Sequence, residues 1–152
     1  MRAFVFVSAL VCSLGTAAQT VQTKPPSAAI YRYNSLSKMA ANTCRVIMQV
    51  AEQKTRNNAL GTSSGMLGLD LTEVAACIEK TSADVKGLYE EAVRDAPNPA
   101  AAAALKEHLI AYLVMVSGIE PEPGEIRLVY SQRQSSNSAA VSRAWIKFET
   151  EK

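Results

Sequence analysis

Few side chains in this sequence are of a kind that does chemistry, and their number and spacing are restrictive. His108 is the only histidine. Histidine-rich zinc sites and di-iron bundles built on paired Glu-x-x-His motifs both need more than one, so neither is available. Glu107 adjoins His108, but neighbours one residue apart on a helix face different directions. His108 therefore reads as a surface or bundle-edge residue. A c-type haem would need CxxCH, which is absent. A bundle holding a non-covalent haem, or a lipid, is the alternative small-ligand reading. Haem would pair His108 with Met39, Met48 or Met115, yet methionines at core spacing are packing residues.

Hydrolytic chemistry fares no better. Gly61-Thr62-Ser63-Ser64-Gly65 has the outline of a nucleophile elbow, but its serines fall in a helix-to-helix loop without the strand that strains and exposes such a serine. The same loop lacks Gly-Lys-Ser/Thr, so it is not a Walker phosphate cradle. Glu90, Glu91 and Asp95 read as a solvated helix end, whereas a glycosidase needs two carboxylates facing a cleft. The expectation is no catalytic residue, no metal and no cofactor, with a small secreted hydrolase as a second alternative.

The cysteines take their meaning from the N-terminus. Arg2, the apolar run Ala3–Leu14 and the small residues Gly15–Ala18 have the form of a secretory signal peptide over residues 1–18. Cys12 falls inside it, and Val11 stands where a lipoprotein would carry a small residue. Cys44 and Cys77 remain. In an oxidising compartment two cysteines predict one disulfide, and the lack of CxxC argues against thiol redox catalysis. The chain is thus expected in the periplasm or outside the cell, and the absence of an Asn-x-Ser/Thr sequon suits a bacterial periplasm. The totals are 16 basic against 14 acidic residues. So even a balance gives no concentrated basic surface for nucleic acid or anionic lipid. Past the signal, the longest unbroken apolar run, Leu109–Val116, is far shorter than the ~18–20 residues that span a bilayer. No stable membrane insertion is expected after signal removal.

The elements that must carry these residues are helical. Residues 19–26 form a flexible leader ending at Pro25-Pro26, and 27–152 a single helical domain. Leu36, Ala40, Cys44, Ile47 and Ala51, flanked by Met39, Thr43 and Val50, make the apolar stripe of a first helix. Asp70-Leu71-Thr72-Glu73 fits a capping box with Asp70 at N-cap, ahead of inward-facing Val74, Ile78, Val85, Leu88, Tyr89 and Ala92. Asn98-Pro99 opens a third helix, continued by Leu105, Leu109, Tyr112 and Val116. The last segment, Ile126–Phe148, has helical spacing interrupted by polar Gln132–Ser138. The prediction is an all-α, up-and-down antiparallel four-helix bundle with a Cys44–Cys77 bridge between helices 1 and 2. Three helices plus a C-terminal β-hairpin is the alternative.

Without a catalytic constellation, so small a domain points to binding. Met66, Leu67 and Leu69 form an apolar cluster among glycines at a bundle tip. Tyr130, Arg133 and Trp145 supply the aromatic and Arg residues enriched at interfaces. The functional expectation is an exported, non-enzymatic protein that binds a protein partner, of inhibitor, immunity or chaperone-like type. N-terminal sequencing of the exported protein should begin at Gln19; a chain retaining Met1 would remove the export argument.

Overall fold

A computed structural model describes residues 27–58 and 68–152. The expected signal peptide and leader (residues 1–26) and Met66 and Leu67 lie outside the described residues. Four helices follow in order: α1 (Ala28–Asn58), α2 (Thr72–Arg94), α3 (Pro99–Ser117) and α4 (Arg127–Glu151). No β-strand occurs among the described residues, so the C-terminal segment is the helix and not the hairpin. Consecutive helices pack side by side. Their ends are pinned antiparallel by the Arg32–Glu91 ion pair at 2.6 Å and by the Asn98 side-chain amide, which donates to the Glu151 carbonyl at 2.8 Å.

Local chemistry sets the helix limits. Asn98 Oδ1 accepts the Ala101 N–H at 2.8 Å, and Pro99 occupies the first turn of α3, the cap read from the sequence. At α2 the capping box does not form. Asp70 Oδ1 accepts instead from the Thr72 N–H at 3.1 Å, and the helix starts one residue late. Leu69 and Leu71 both pack into the core beside it. An N-cap at Asp70 would carry Leu71 into the first helical turn.

The buried line of α1 also differs from the expected stripe. It comprises Ile30, Tyr33, Ser37, Ala41, Cys44 and Met48, sharing only Cys44 with the prediction, while Leu36 and Met39 are 43% and 64% exposed. The reason is polar. Ser37 is buried because its hydroxyl donates to the Asn34 carbonyl and its own carbonyl accepts from the Tyr112 hydroxyl at 2.8 Å. Apolar periodicity cannot register a satisfied serine in a core line.

Two apolar clusters result. The larger joins Tyr33, Val85, Leu105, Tyr112, Val116 and Phe148 from all four helices. In it Ala101 and Ala104 are fully buried, as small residues allowing close helix approach should be. The smaller surrounds the disulfide with Met48, Val74, Leu69, Leu71 and Ile119. α3 is long and apolar enough to cross a membrane by length and composition alone. Its alanines dilute Lys106, Glu107 and His108, which a search for unbroken apolar runs does not allow for. Here it buries Leu105, His108, Tyr112, Met115 and Val116 inside the bundle.

Cys44 and Cys77 are bridged, with Cα atoms 5.6 Å apart, and the Thr81 hydroxyl donates to Cys44 Sγ at 3.3 Å. Cys44 lies about four turns before the end of α1 and Cys77 about one and a half turns into α2. α1 therefore overhangs α2 by about 13 Å, as the cysteine positions required, and Leu69 and Leu71, like Ile47 and Ala51 of α1, pack on the small cluster of Cys44, Met48, Val74 and Ile119. Replacing both cysteines with alanine should lower the unfolding free energy by about 3–4 kcal/mol, since the bridge closes a 33-residue separation. Urea denaturation measures this; a loss below about 1 kcal/mol would show that the packing alone holds the hairpin.

Candidate functional site

His108 is buried, 1% exposed and ringed by aromatic side chains from three helices. This corrects its reading as a surface residue. Its Nδ1 is 2.8 Å from the Tyr33 hydroxyl. Phenol is the better proton donor and imidazole the better base, so Tyr33 donates and the ring proton sits on Nε2. Tyr33 and Trp145 pack edge-on at 5.4 and 5.2 Å, and Tyr112 stacks at 6.5 Å. Burial, helped by the nearby Lys38 ammonium, pushes the imidazole down to about 4. Burial likewise raises Tyr112 to about 12 and Tyr33 further. The imidazole is therefore neutral at physiological pH and works as a core hydrogen-bonding group.

The end of the bundle holds a different arrangement. The α3–α4 connection is tied down by Arg133, whose Nε and Nη2 donate to Glu125 Oε1 and Oε2 at 2.9 and 2.5 Å. Nη1 donates to the Gly118 carbonyl at 2.8 Å and Nη2 to the Glu120 carbonyl at 3.2 Å. A bidentate pair of this kind is the strong form of the interaction, and Glu125 is only 4% exposed. The Arg133 bond holds its carboxyl below the ordinary range. Gly118 permits close approach, because a Cβ there would stand 2.8 Å from both Arg133 Nη1 and Asn137 Nδ2 and would displace the guanidinium from its bonds. Tyr130 lies under the guanidinium at 5.5 Å and donates its hydroxyl to the Ile119 carbonyl at 2.8 Å.

Beside this network a groove of about 330 Å³ runs between Gly68–Leu71 and the connection Glu120–Ile126. Leu69, Leu71, Pro121, Pro123 and Ile126 give it an apolar lining, and Glu120, Glu122 and Glu125 its carboxylates. Arg133 neutralises Glu125. Among the described residues neither Glu120 nor Glu122 makes a side-chain ion pair, although the Arg133 charge lies near enough to Glu122 to interact with it. Next to it Ile126, Leu128 and Val129 are 56%, 64% and 48% exposed.

The residues singled out in the sequence therefore separate. Leu69, Tyr130 and Arg133 gather at this end, Leu69 half-buried on the groove and the other two committed to bonds within the chain. Trp145 lies about 18 Å further along α4, in the aromatic cluster with His108 and Phe148. What the pattern missed is the outer face of α1, where Leu36, Met39, Val46 and Val50 are exposed. Leu36, Met39 and Val50 fall in or beside the stripe read as core from the sequence, whereas Val46 belongs to no reading made there. Among the described residues no group of three or more His, Cys, Asp or Glu gathers as a metal site would require.

Comparison with protein-family models, with curated proteins and with solved structures finds no match to the chain.

The depressed imidazole has a sign that can be measured. The unfolded chain takes up a proton near 6.5 and the folded chain only near 4. The contribution of His108 is thus complete above pH 6.5 and is lost as pH falls toward 4, by roughly 3 kcal/mol in all. Unfolding free energies measured across that window should show this slope in the native protein, and it should be absent from His108→Gln. Equal slopes in both would place the imidazole in contact with water.

Proposed function

We propose that this protein is an exported, non-enzymatic, disulfide-stapled bundle that binds a protein partner at the groove between Leu69 and Ile126. The observation that carries the reading is the groove itself, an apolar floor rimmed by Glu120 and Glu122, neither of which forms a side-chain ion pair among the described residues. Its chemistry suits a partner segment that presents an apolar side chain next to a basic one. The rigid Pro121 and Pro123 and the Arg133 tie hold the rim in place before binding, which lowers the ordering cost of association. An inhibitor, immunity or chaperone-like role fits a small, preorganised surface of this kind.

The disulfide supports an oxidising, exported location, periplasmic or extracellular. The non-enzymatic reading is supported by the partners of the one imidazole. His108 is bonded to a core phenol rather than to a carboxylate at a cleft. The same enclosure by Tyr33, Tyr112 and Trp145 weakens the haem alternative, since an axial ligand would have to leave that packing.

Photo-crosslinking tests the site. A benzoylphenylalanine at Ile126 should capture a discrete partner in the native compartment, and one at Ile110, exposed on the outer side of α3, should not. Adding Glu122→Lys to the Ile126 probe should cut the yield about tenfold without altering the thermal midpoint, a loss on the scale of one interfacial charge pair. Equal capture at both positions, or indifference to Glu122→Lys, would remove the groove from the interface.

A further inference from the structure

The exposed line on α1 is a second seam, distinct from the one this helix buries. Leu36, Met39, Thr43, Val46 and Val50 recur at alternating steps of three and four. That is the a/d register of a coiled-coil seam, narrower than the stripe of an ordinary bundle helix. Leu36 and Val50 are each 43% exposed, Val46 56% and Met39 64%. At ~1.5 Å per residue the seam is about 21 Å long, and at ~100° per residue its centre lies roughly 140° around the helix from the buried line.

We propose that this seam pairs with the same seam of a second copy, giving a twofold-symmetric dimer held along α1. The argument for that occupant is electrostatic and steric. In heptad register the positions flanking the seam are Ser35, Ala40, Asn42, Ile47 and Gln49, and none is charged. Flanking charges are what select a different partner in a coiled coil, and here they are missing. Two identical seams meet with no like charges opposed. The only charges of α1 between Tyr33 and Ala51 are Lys38 and Arg45. Both turn to the α4 side, Lys38 over the Trp145 ring at 6.0 Å and Arg45 donating to Ser138 Oγ at 2.8 Å. Ala40 and Ser35 are small enough for two backbones to approach, while the Asn42 and Gln49 amides can bond across the axis.

The area fits a modest dimer. The exposed parts of Leu36, Met39, Val46 and Val50 amount to roughly 350 Å² per copy. With their small flanking residues two copies would bury at most about 1,000 Å² in total, the lower limit for a specific interface and the size of a weak dimer. A twofold interface uses one patch on both partners, which a single seam supplies. The seam shares no residue with the bundle-end groove, so the two surfaces stand or fall separately.

Sedimentation velocity of the purified protein from about 1 to about 200 µM should show a monomer–dimer equilibrium with a dissociation constant on the order of 10 µM. Met39→Glu and Val46→Glu, both at solvent-facing positions, should each weaken it more than tenfold with unchanged helical circular dichroism and thermal midpoint. Ile110→Glu, on the outer face of α3, should dimerise like the native chain. A native protein that stays monomeric throughout would overturn the proposal. So would dimers that survive both α1 substitutions, or dimers that Ile110→Glu abolishes.

Discussion

The bond between Tyr33 and His108 is the contact on which the rest of the bundle depends. A neutral imidazole buried among apolar groups costs several kcal/mol unless its nitrogen finds a partner. Tyr33 provides one from the opposite side of the core. That requirement fixes the rotation of α1, since Tyr33 has to face inward. Ser37, one turn on, is then drawn into the interior, where its carbonyl accepts from Tyr112. Once α1 is set this way, Leu36, Met39, Val46 and Val50 are turned to solvent. The exposed seam is thus a consequence of the internal polar pair, and both follow from the placement of one histidine on α3.

The smaller cluster solves a different problem. The long α1 runs past the start of α2, and an unaccompanied helix end is weakly stable in water. The Cys44–Cys77 bridge, Leu69, Leu71 and Ile119 cover its inner side. Glu52 adds ion pairs to Arg56 on its own helix and to Arg127 at the start of α4. The bundle end is therefore held by a covalent link, a small apolar core and the Arg133–Glu125 tie. Such concentration of restraints suits a rigid surface.

Helix number, order and class were legible in the sequence because they rest on periodicity, on caps such as Asn98-Pro99, and on the disulfide pair. The facing of α1 was not. Leu36 and Met39 have the residue types of a core, and only the hydrogen bonds of Tyr33, Ser37 and Tyr112 show that a rotated line is buried. The polar run Gln132–Ser138 is what kept the hairpin open as an alternative to the predicted fourth helix. It looks like a turn, but Arg133, Gln134 and Ser138 bond to Gly118 and Arg45, so the helix packs there through polar contacts. His108 was misjudged for the same reason, its partner lying 75 residues away. Of the candidate binding residues, Leu69, Tyr130 and Arg133 do share one end of the bundle, though sequence spacing gives no hint of the groove beside them.

The disulfide joins cysteines that are consecutive in the chain, and this gives assembly a direction. Both partners lie in the first helical hairpin, so the link needs nothing from α3 or α4. A chain emerging from its N-terminus can close that hairpin while its second half is still being made. α3 and α4 contain no cysteine, so the later helices bring no competing thiol. They arrive at a hairpin already locked in register, and the single histidine on α3 has only to find Tyr33.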